Sequence, residues 1–237
     1  MRNAKILVAL ATVLLTPACG PLEFLNPCYK AEDLVLDPAL ATSWKDEDGA
    51  TVLKFQESGE KSYEMITIEQ HGNADPEETK YDAHLLRLGE YLFLDLVPEV
   101  AKASPGAYKL TLASLTDLPA PKPTLTRVGD GLYASLVPGQ PAPESGYESE
   151  CCEVHLIQAH WVYQVRLDGT SLRLADLSED WFKEGVKEGK IHIGFENIDD
   201  TLVLTGPTEE LRQFLLDNAG DGLAFPEDGA MEFRRQE

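Results

Sequence analysis

Basic residues are scarce in this chain of 237 residues. It has 20 lysines and arginines against 41 aspartates and glutamates, which gives a formal net charge of −21. Such a chain is repelled by nucleic acid and by anionic membrane surfaces, because both carry dense negative charge. The acidic residues are dispersed, which is typical of a solvated surface and not of an acidic interaction tail. The sequence therefore predicts no nucleic-acid partner.

The chain also lacks the short motifs that carry well-understood chemistry. It has no Gly-x-Ser-x-Gly, no His-Glu-x-x-His and no glycine-rich phosphate loop. Cys151, Cys152 and His155 are soft metal ligands close in sequence, but a fourth spaced ligand is missing. We therefore expect no cofactor, no metal site, no catalytic residue and a non-enzymatic function. An envelope hydrolase with an unrecognised active site is the alternative.

Long apolar runs are absent too, apart from residues 6–15. A membrane-spanning helix needs about 20 apolar residues, so this run is too short to cross a bilayer. Arg2 and Lys5 precede it, and Ala18 and Cys19 follow shortly after. This order is that of a secretory signal peptide, which we assign to residues 1–18. Its removal leaves 18 basic residues against 41 acidic ones.

The cleavage region, residues 14–20, resembles the lipobox of bacterial lipoproteins, with the small Ala18 directly before Cys19. The resemblance implies diacylglycerol on Cys19, acyl chains such as palmitate, and a membrane anchor in the cell envelope. By the same resemblance, Gly20 after the cysteine implies sorting to the outer membrane. Several acyl chains give stable anchoring, since each buried methylene contributes about 0.8 kcal/mol. Residues 19–32 would then be a lipidated tether. Simple secretion is the alternative.

Cysteines number four, and an exported chain folds where disulfides form. If Cys19 carries lipid, Cys28, Cys151 and Cys152 remain, an odd number. We favour a bridge from Cys28 to one of the vicinal pair, although Cys151 and Cys152 could also bridge each other. A bridge from Cys28 closes a loop of more than 120 residues. The chain-entropy model gives such a loop about 4–5 kcal/mol of stabilisation.

The rest of the chain reads as short strands separated by turns. Two-residue alternation is clearest at Leu92, Leu94 and Leu96, and Gly89 marks a tight hairpin. About nine strands joined by hairpins favour an antiparallel up-and-down barrel, whose closure removes exposed edges, or a half-barrel. The predicted strands are residues 41–45, 51–56, 62–70, 80–88, 90–97, 152–167, 171–175, 191–196, 201–205 and 230–234.

Two short helices and one insertion complete the predicted fold. Ser178 can cap a helix that ends near residue 188, and a second helix runs from about residue 208 to 218. The segment 98–150 holds eight of the fifteen prolines, which lack the amide donor that interior sheet positions need. We interpret residues 33–237 as a single β domain with this proline-rich insertion.

Residues 37–44, which end on Trp44, resemble the first strand of lipocalin-like barrels. The tail from residue 207, with Arg234 and Arg235 in its last strand, is similar to that of uncharacterised bacterial lipoproteins with a lipocalin-like (calycin-type) barrel. The resemblance spans residues 33–235 except the insertion. It implies a barrel in which first and last strands are neighbours, with an arginine able to lie over the indole of Trp44.

The resemblance also implies a ligand cavity, and hence a binding or accessory module. Its partner would be a small apolar ligand or another envelope protein. The residues that could line a cavity are His155, Trp161, Tyr163 and Phe195. Ordinary core packing is the alternative for the aromatic members of this set.

The anchor yields the first testable prediction. Cys19→Ser should move the protein from the membrane fraction to the soluble fraction, because the acylated thiol is lost. Fractionation of cells that express either form, followed by immunoblotting, measures this. Recovery of the unmodified protein in the soluble fraction would contradict the lipoprotein assignment.

Overall fold

The computed structural model describes residues 22–72, 74–99, 110–112, 124–129, 131–136 and 154–236. This part of the chain is mainly β, with two helices, α1 (Glu179–Lys187) and α2 (Thr208–Asn218). Its strands are β1 (Glu23–Phe24), β2 (Ser43–Asp46), β3 (Thr51–Glu57), β4 (Tyr63–Glu69), β5 (Glu77–Leu88), β6 (Tyr91–Pro98), β7 (Leu110–Leu112), β8 (Thr124–Gly129), β9 (Leu132–Leu136), β10 (Val154–Gln158), β11 (His160–Leu167), β12 (Ser171–Asp176), β13 (Phe195–Ile198), β14 (Thr201–Leu204) and β15 (Met231–Arg235).

Eight of these strands close into an antiparallel barrel. Around the wall the order is β2, β3, β4, β5, β6, β11, β12 and β15, and β15 pairs with β2 again. Closure gives each barrel strand a hydrogen-bonded neighbour on both sides, which protects the sheet from pairing with another chain. The expected up-and-down antiparallel barrel is confirmed, and it is closed.

The barrel wall follows the two-residue alternation of the sequence. In β6, Leu94 and Leu96 point into the barrel, whereas Phe93 and Asp95 point outward. The inner core therefore collects alternate residues from every barrel strand. Its buried members are Leu40, Trp44, Leu53, Phe55, Tyr63, Met65, Ala83, Leu85, Leu94, Leu96, Tyr163, Val165, Leu172, Leu174 and Phe233.

A second core lies on the outside of the barrel, beneath the two helices. Phe182 of α1 and Leu211 and Leu215 of α2 pack with outward-facing Leu86 and Phe93. The helices form close to where the sequence predicts them. Ser178 caps α1 by accepting the backbone N–H of Trp181 at 3.3 Å.

The sheet branches at β11. One edge of β11 pairs with β6, while the other edge pairs with β12 over residues 163–167 and with β1 at residues 160–161. From β1 the sheet continues through β14 to β13. The same strand thus closes the barrel and supports an extension outside it.

The predicted strand at residues 152–167 is divided at Ala159, whose N–H donates to the carbonyl oxygen of Gly131 at 2.7 Å. Before this residue, β10 belongs to a separate four-stranded sheet in the order β7, β10, β9, β8. After it, β11 belongs to the barrel. The proline-rich insertion 98–150 supplies β7, β8 and β9, which are three of the four strands of this sheet.

Buried Glu23 ties this second sheet to the barrel. Its carboxylate accepts hydrogen bonds from the Tyr133 hydroxyl at 2.5 Å and from Arg127 Nη2 at 3.1 Å. Arg127 Nη1 also donates to Thr201 Oγ1 at 3.0 Å. Burial and the bond to Glu23 raise the pKa of Tyr133, so its hydroxyl keeps the proton that it donates.

Residues 22–28 belong to the segment 19–32 that the sequence predicts as a tether, and the structure packs them against the body of the protein. Leu22, Phe24, Leu25 and Cys28 are buried, and β1 lies inside the sheet. These apolar side chains cover outward-facing barrel residues, so burial holds them to the body. Cys19 lies outside the described residues.

Closure brings Trp44 and Arg235 into register across β2 and β15, as expected for neighbouring first and last strands. The arginine does not cover the indole. Arg234 and Arg235 are exposed, and Arg235 Nη1 donates to the carbonyl oxygen of Gly169 at 3.5 Å. Trp44 is a core residue whose Nε1 donates to the carbonyl oxygen of Leu40 at 3.1 Å.

A bidentate ion pair fixes α2 to the segment before the barrel. Arg212 donates to both carboxylate oxygens of Asp33, at 2.6 and 2.7 Å, and the backbone N–H of Lys30 donates to the same carboxylate at 2.9 Å. The side chain of Asp33 is 5% exposed and that of Arg212 is 25% exposed. The hydrogen bonds from Arg212 hold the pKa of Asp33 below its usual 3.8.

Arg212→Met should destabilise the fold by about 1.5–3 kcal/mol, because Asp33 loses charged hydrogen-bond donors while it stays buried. Chemical denaturation measures the free energy of unfolding. The lowered pKa of Asp33 makes this stabilisation depend on pH. The ion pair stabilises the fold above pH 3.8, and its contribution is lost as the pH falls through the folded-state pKa of Asp33. The difference in the free energy of unfolding between wild type and variant should therefore become smaller in strong acid.

The matched control is Lys190→Met. Lys190 pairs with Glu188 at 2.6 Å, but both side chains are exposed, so the denaturation midpoint should not change. Equal effects of the two substitutions would show that the Asp33–Arg212 pair has no special role.

Candidate functional site

The barrel encloses a cavity of about 320 Å³ at one end. Its wall is largely apolar, and its rim is polar where the cavity reaches the surface. The apolar and aromatic lining residues are Leu53, Met65, Tyr81, Leu96, Trp161, Tyr163, Leu174, Met231 and Phe233. The polar lining residues are Asp46, Thr51, Thr67, Glu69 and Glu232.

The opposite end of the barrel is filled by the turn that precedes β2. Leu40 and Trp44 are fully buried there, and the indole bond to the Leu40 carbonyl holds the turn against the strand. Tyr63 adds a second fastening, since its hydroxyl accepts the N–H of Asp37 at 2.7 Å and donates to the Asp37 carbonyl at 3.2 Å. The cavity therefore has a packed floor.

Trp161 and Tyr163, two of the residues predicted to line a cavity, lie on its wall in β11. Tyr81 of β5 lies across from Trp161, with ring centroids 5.6 Å apart and a tilt of 51°. Burial raises the pKa of Tyr163, and the charge of Asp176 raises it further. At neutral pH the cavity therefore holds a protonated phenol, which can donate a hydrogen bond.

Two buried polar atoms of lining residues have no hydrogen-bond partner among the described residues. They are Oδ1 of Asp46 and Nε1 of Trp161. Oδ2 of Asp46 is satisfied, because it accepts the N–H of Thr51 at 3.0 Å across the hairpin turn. A buried polar atom without a partner costs about 1–3 kcal/mol, and native proteins usually satisfy such atoms with water or ligand. Both atoms are thus unsatisfied, and both belong to residues that line the cavity.

Phe195 and His155 do not join this site. Phe195 lies in β13, at the end of the branch outside the barrel, where it is 40% exposed and packs edge-to-face on Phe182 at 5.5 Å. His155 lies in β10, opposite Ser135 of the second sheet. Its side chain is outside the described set. The break at Ala159 separates its strand from the barrel wall, which period-two alternation along one continuous strand does not anticipate.

Of the three cysteines predicted to take part in a bridge, Cys28 belongs to the described residues. Cys28 is a fully buried free thiol. Burial raises its pKa, and the charge of Asp95 raises it further, so the thiol stays protonated. Cys151 and Cys152 lie outside the described residues, as does Cys19, and the bridge and the lipidation stay predictions.

A buried Asp–His pair lies on the outer face of the barrel, and sequence analysis missed it. Nδ1 of His160 is 2.7 Å from Oδ1 of Asp95, whose side chain is fully buried. Cys28 and Tyr29 of the covering segment lie close enough for the charge of Asp95 to raise their pKa values. The only sequence signal was an acid among the leucines of β6. Neither member of the pair lines the cavity.

In comparisons with protein-family models, curated proteins and solved structures, the chain matches none of them. Within the described residues, the side chains of His, Cys, Asp and Glu form no group of three or more that could hold a metal ion. None of the helices in the described part is long and apolar enough to cross a membrane.

The Asp95–His160 pair predicts a loss of stability in alkali. Burial lowers the pKa of His160, but the charge and hydrogen bond of Asp95 raise it by more, so the folded-state pKa lies above 6.5. A histidine whose pKa is raised by folding stabilises the fold at pH values below its unfolded-state pKa. This stabilisation is lost as the pH rises through its folded-state pKa. The free energy of unfolding should therefore decrease above pH 6.5, and less so in His160→Gln.

Two measurements test this prediction. Denaturation at a series of pH values gives the stability difference, with His71→Gln as the control because His71 is an exposed surface residue. The imidazole resonances of His160 in the wild-type protein, followed by NMR, should titrate above pH 6.5. A midpoint below 6.5 would show that burial outweighs the charge of Asp95.

Proposed function

We propose that this protein is an exported, lipid-anchored envelope protein that binds a small, largely apolar ligand inside its barrel and catalyses no reaction. The observation that carries the proposal is the cavity of about 320 Å³ inside the closed barrel. Apolar and aromatic walls with a few polar groups are the usual composition of small-molecule sites, and this volume lies at the lower end of their range.

The architecture supports a lipocalin-like binding module. An eight-stranded barrel is just wide enough to be filled by side chains or to hold one small ligand. Here one end is filled around Trp44 and Tyr63, while the other end leaves the cavity between β3, β4 and β11. The position of Trp44 in the first barrel strand agrees with the resemblance drawn from residues 37–44.

A lipid on Cys19 would hold the barrel close to the bilayer. The first described residue, Leu22, is already buried in the body. Three residue steps separate it from Cys19, and an extended chain of that length spans about 10 Å. A ligand with an apolar body partitions into membranes, so a binding site this near the bilayer is well placed to exchange it.

The hydrolase alternative gains little from the described residues. Asp95 and His160 have the chemistry of an acid–base pair, but they face outward from the barrel and lie beneath the segment that carries Cys28 and Tyr29. A general base must come within hydrogen-bond reach of its substrate. The pair therefore fits a structural role, and binding is the function that the cavity favours.

A protein-docking role is also less favoured. The large apolar side chains exposed in the described part come from four separate segments of the chain. They are Leu36, Phe195, Leu223 and Met231. Single exposed apolar residues are normal on soluble proteins, whereas docking surfaces usually form a contiguous patch.

The neutral fluorophore N-phenyl-1-naphthylamine should bind with a large increase in its emission, because it moves from water into an apolar cavity. Thr67→Trp should abolish this increase, since Thr67 lines the cavity and the indole would fill it. Trp161→Phe should reduce energy transfer to the bound fluorophore more than Trp181→Phe does, because Trp161 lines the cavity and Trp181 lies with the helices.

The matched control is Ile68→Trp, which adds the same indole to the next residue of β4, on the opposite face of the strand. It should bind the fluorophore as the wild type does. Circular dichroism of each variant verifies the fold. Equal binding by the Thr67 and Ile68 variants would place the fluorophore outside the barrel and refute the proposed site.

A further inference from the structure

The charged groups that line the cavity are of one sign. Its lining includes Asp46, Glu69 and Glu232 and no lysine or arginine. Glu232 is compensated, because Arg173 on the neighbouring strand β12 pairs with it. Glu69 is at the rim, with Nε2 of His71 at 3.3 Å, and both side chains are largely exposed. The carboxylate that remains to be explained is Asp46.

Asp46 makes no ion pair with any residue that the structure describes. Its Oδ2 is committed to the N–H of Thr51, and this bond holds the carboxylate in place across the hairpin turn. Its Oδ1 is buried and has no partner. The neighbouring Lys45 forms no ion pair with it, and alternation places Lys45 on the outer face of β2, where its Nζ lies beside Gly49. The carboxylate of Asp46 is therefore a fixed, partly desolvated acceptor at the mouth of the cavity.

Aromatic side chains stand on the wall beyond this carboxylate. Tyr81 and Trp161 lie in contact, and Tyr163 follows Trp161 on the same face of β11. The faces of such rings carry negative electrostatic potential and attract cations. The unpartnered Nε1 of Trp161 does not reverse this preference, because the indole carries no net charge. It offers a donor to an oxygen on the ligand body.

We propose that the cavity selects a small organic cation, an amine with an apolar body, whose ammonium group binds Oδ1 of Asp46. The proposal rests on the proposed function and names the class of ligand for the same site. The apolar body lies against Leu53, Met65 and Leu96, while the ammonium satisfies the unpartnered oxygen. A carboxylate of the same size is repelled by Asp46 and Glu69, and an alcohol gains only a neutral hydrogen bond.

The experiment compares three probes of equal length: octylamine, octanol and octanoate. Isothermal titration at neutral pH and low salt should give octylamine an affinity about tenfold or more higher than that of octanol, and octanoate should bind most weakly. Asp46→Asn should lower the affinity for octylamine by about tenfold and leave that for octanol unchanged. The amide oxygen can still accept the N–H of Thr51, so the turn is kept.

The control variant is Asp48→Asn, which removes one charge from the same turn at an exposed position outside the lining. It should bind octylamine as the wild type does. An equal loss of octylamine affinity in both variants would mean that the net charge around the cavity mouth acts at long range and that Asp46 does not bind the ammonium group.

The outcomes separate this inference from the proposed function. If octanol and octanoate bind as tightly as octylamine, the choice of a cation is wrong while the cavity still binds apolar ligands. If none of the three binds, the proposed function fails as well. The ranking in the wild-type protein needs no variant, so it tests the selection of a cation even if Asp46→Asn does not fold.

Discussion

The structure depends on the double use of one edge of β11. Residues 163–167 of that edge pair with β12 and close the barrel, and residues 160–161 pair with β1. Without the first pairing the wall would be an open sheet, with no enclosed space behind Trp161 and Tyr163. Without the second, the segment that covers Asp95 and His160 would have no strand to hold it. One strand thus joins the cavity to the body around it.

Three buried acids make polar contacts on the outer side of the barrel. Glu23 binds Tyr133 and Arg127 of the second sheet, Asp33 binds Arg212 of α2, and Asp95 binds His160 of β11. Removing one partner from a buried pair leaves an uncompensated charge, which strongly destabilises the fold. Asp46 differs from these three acids. It has no such partner among the described residues, and it lines the cavity.

Sequence patterns located the strands and helices well because their signals are local. Alternation at Leu92, Leu94 and Leu96 and the cap at Ser178 depend on neighbours within a few residues. The same alternation put Trp161 and Tyr163 on the cavity wall, but it also suggested His155, which lies in the second sheet, and Phe195, which lies on the branch outside the barrel. It gave no warning that Ala159 ends one strand and begins another, because the acceptor for its N–H is the distant Gly131.

The sequence by itself determined the strand-rich fold class, the two helices and the excess of acidic charge, since periodicity, caps and composition can be read without long-range contacts. It also supplied the expectation of export and lipidation at Cys19. The tertiary structure alone decided that the barrel closes, that residues 22–28 pack against its outer side, and that Asp46 stands at the mouth of a cavity. These features depend on pairings between residues far apart in the chain, and the pattern of a single segment does not encode its partner.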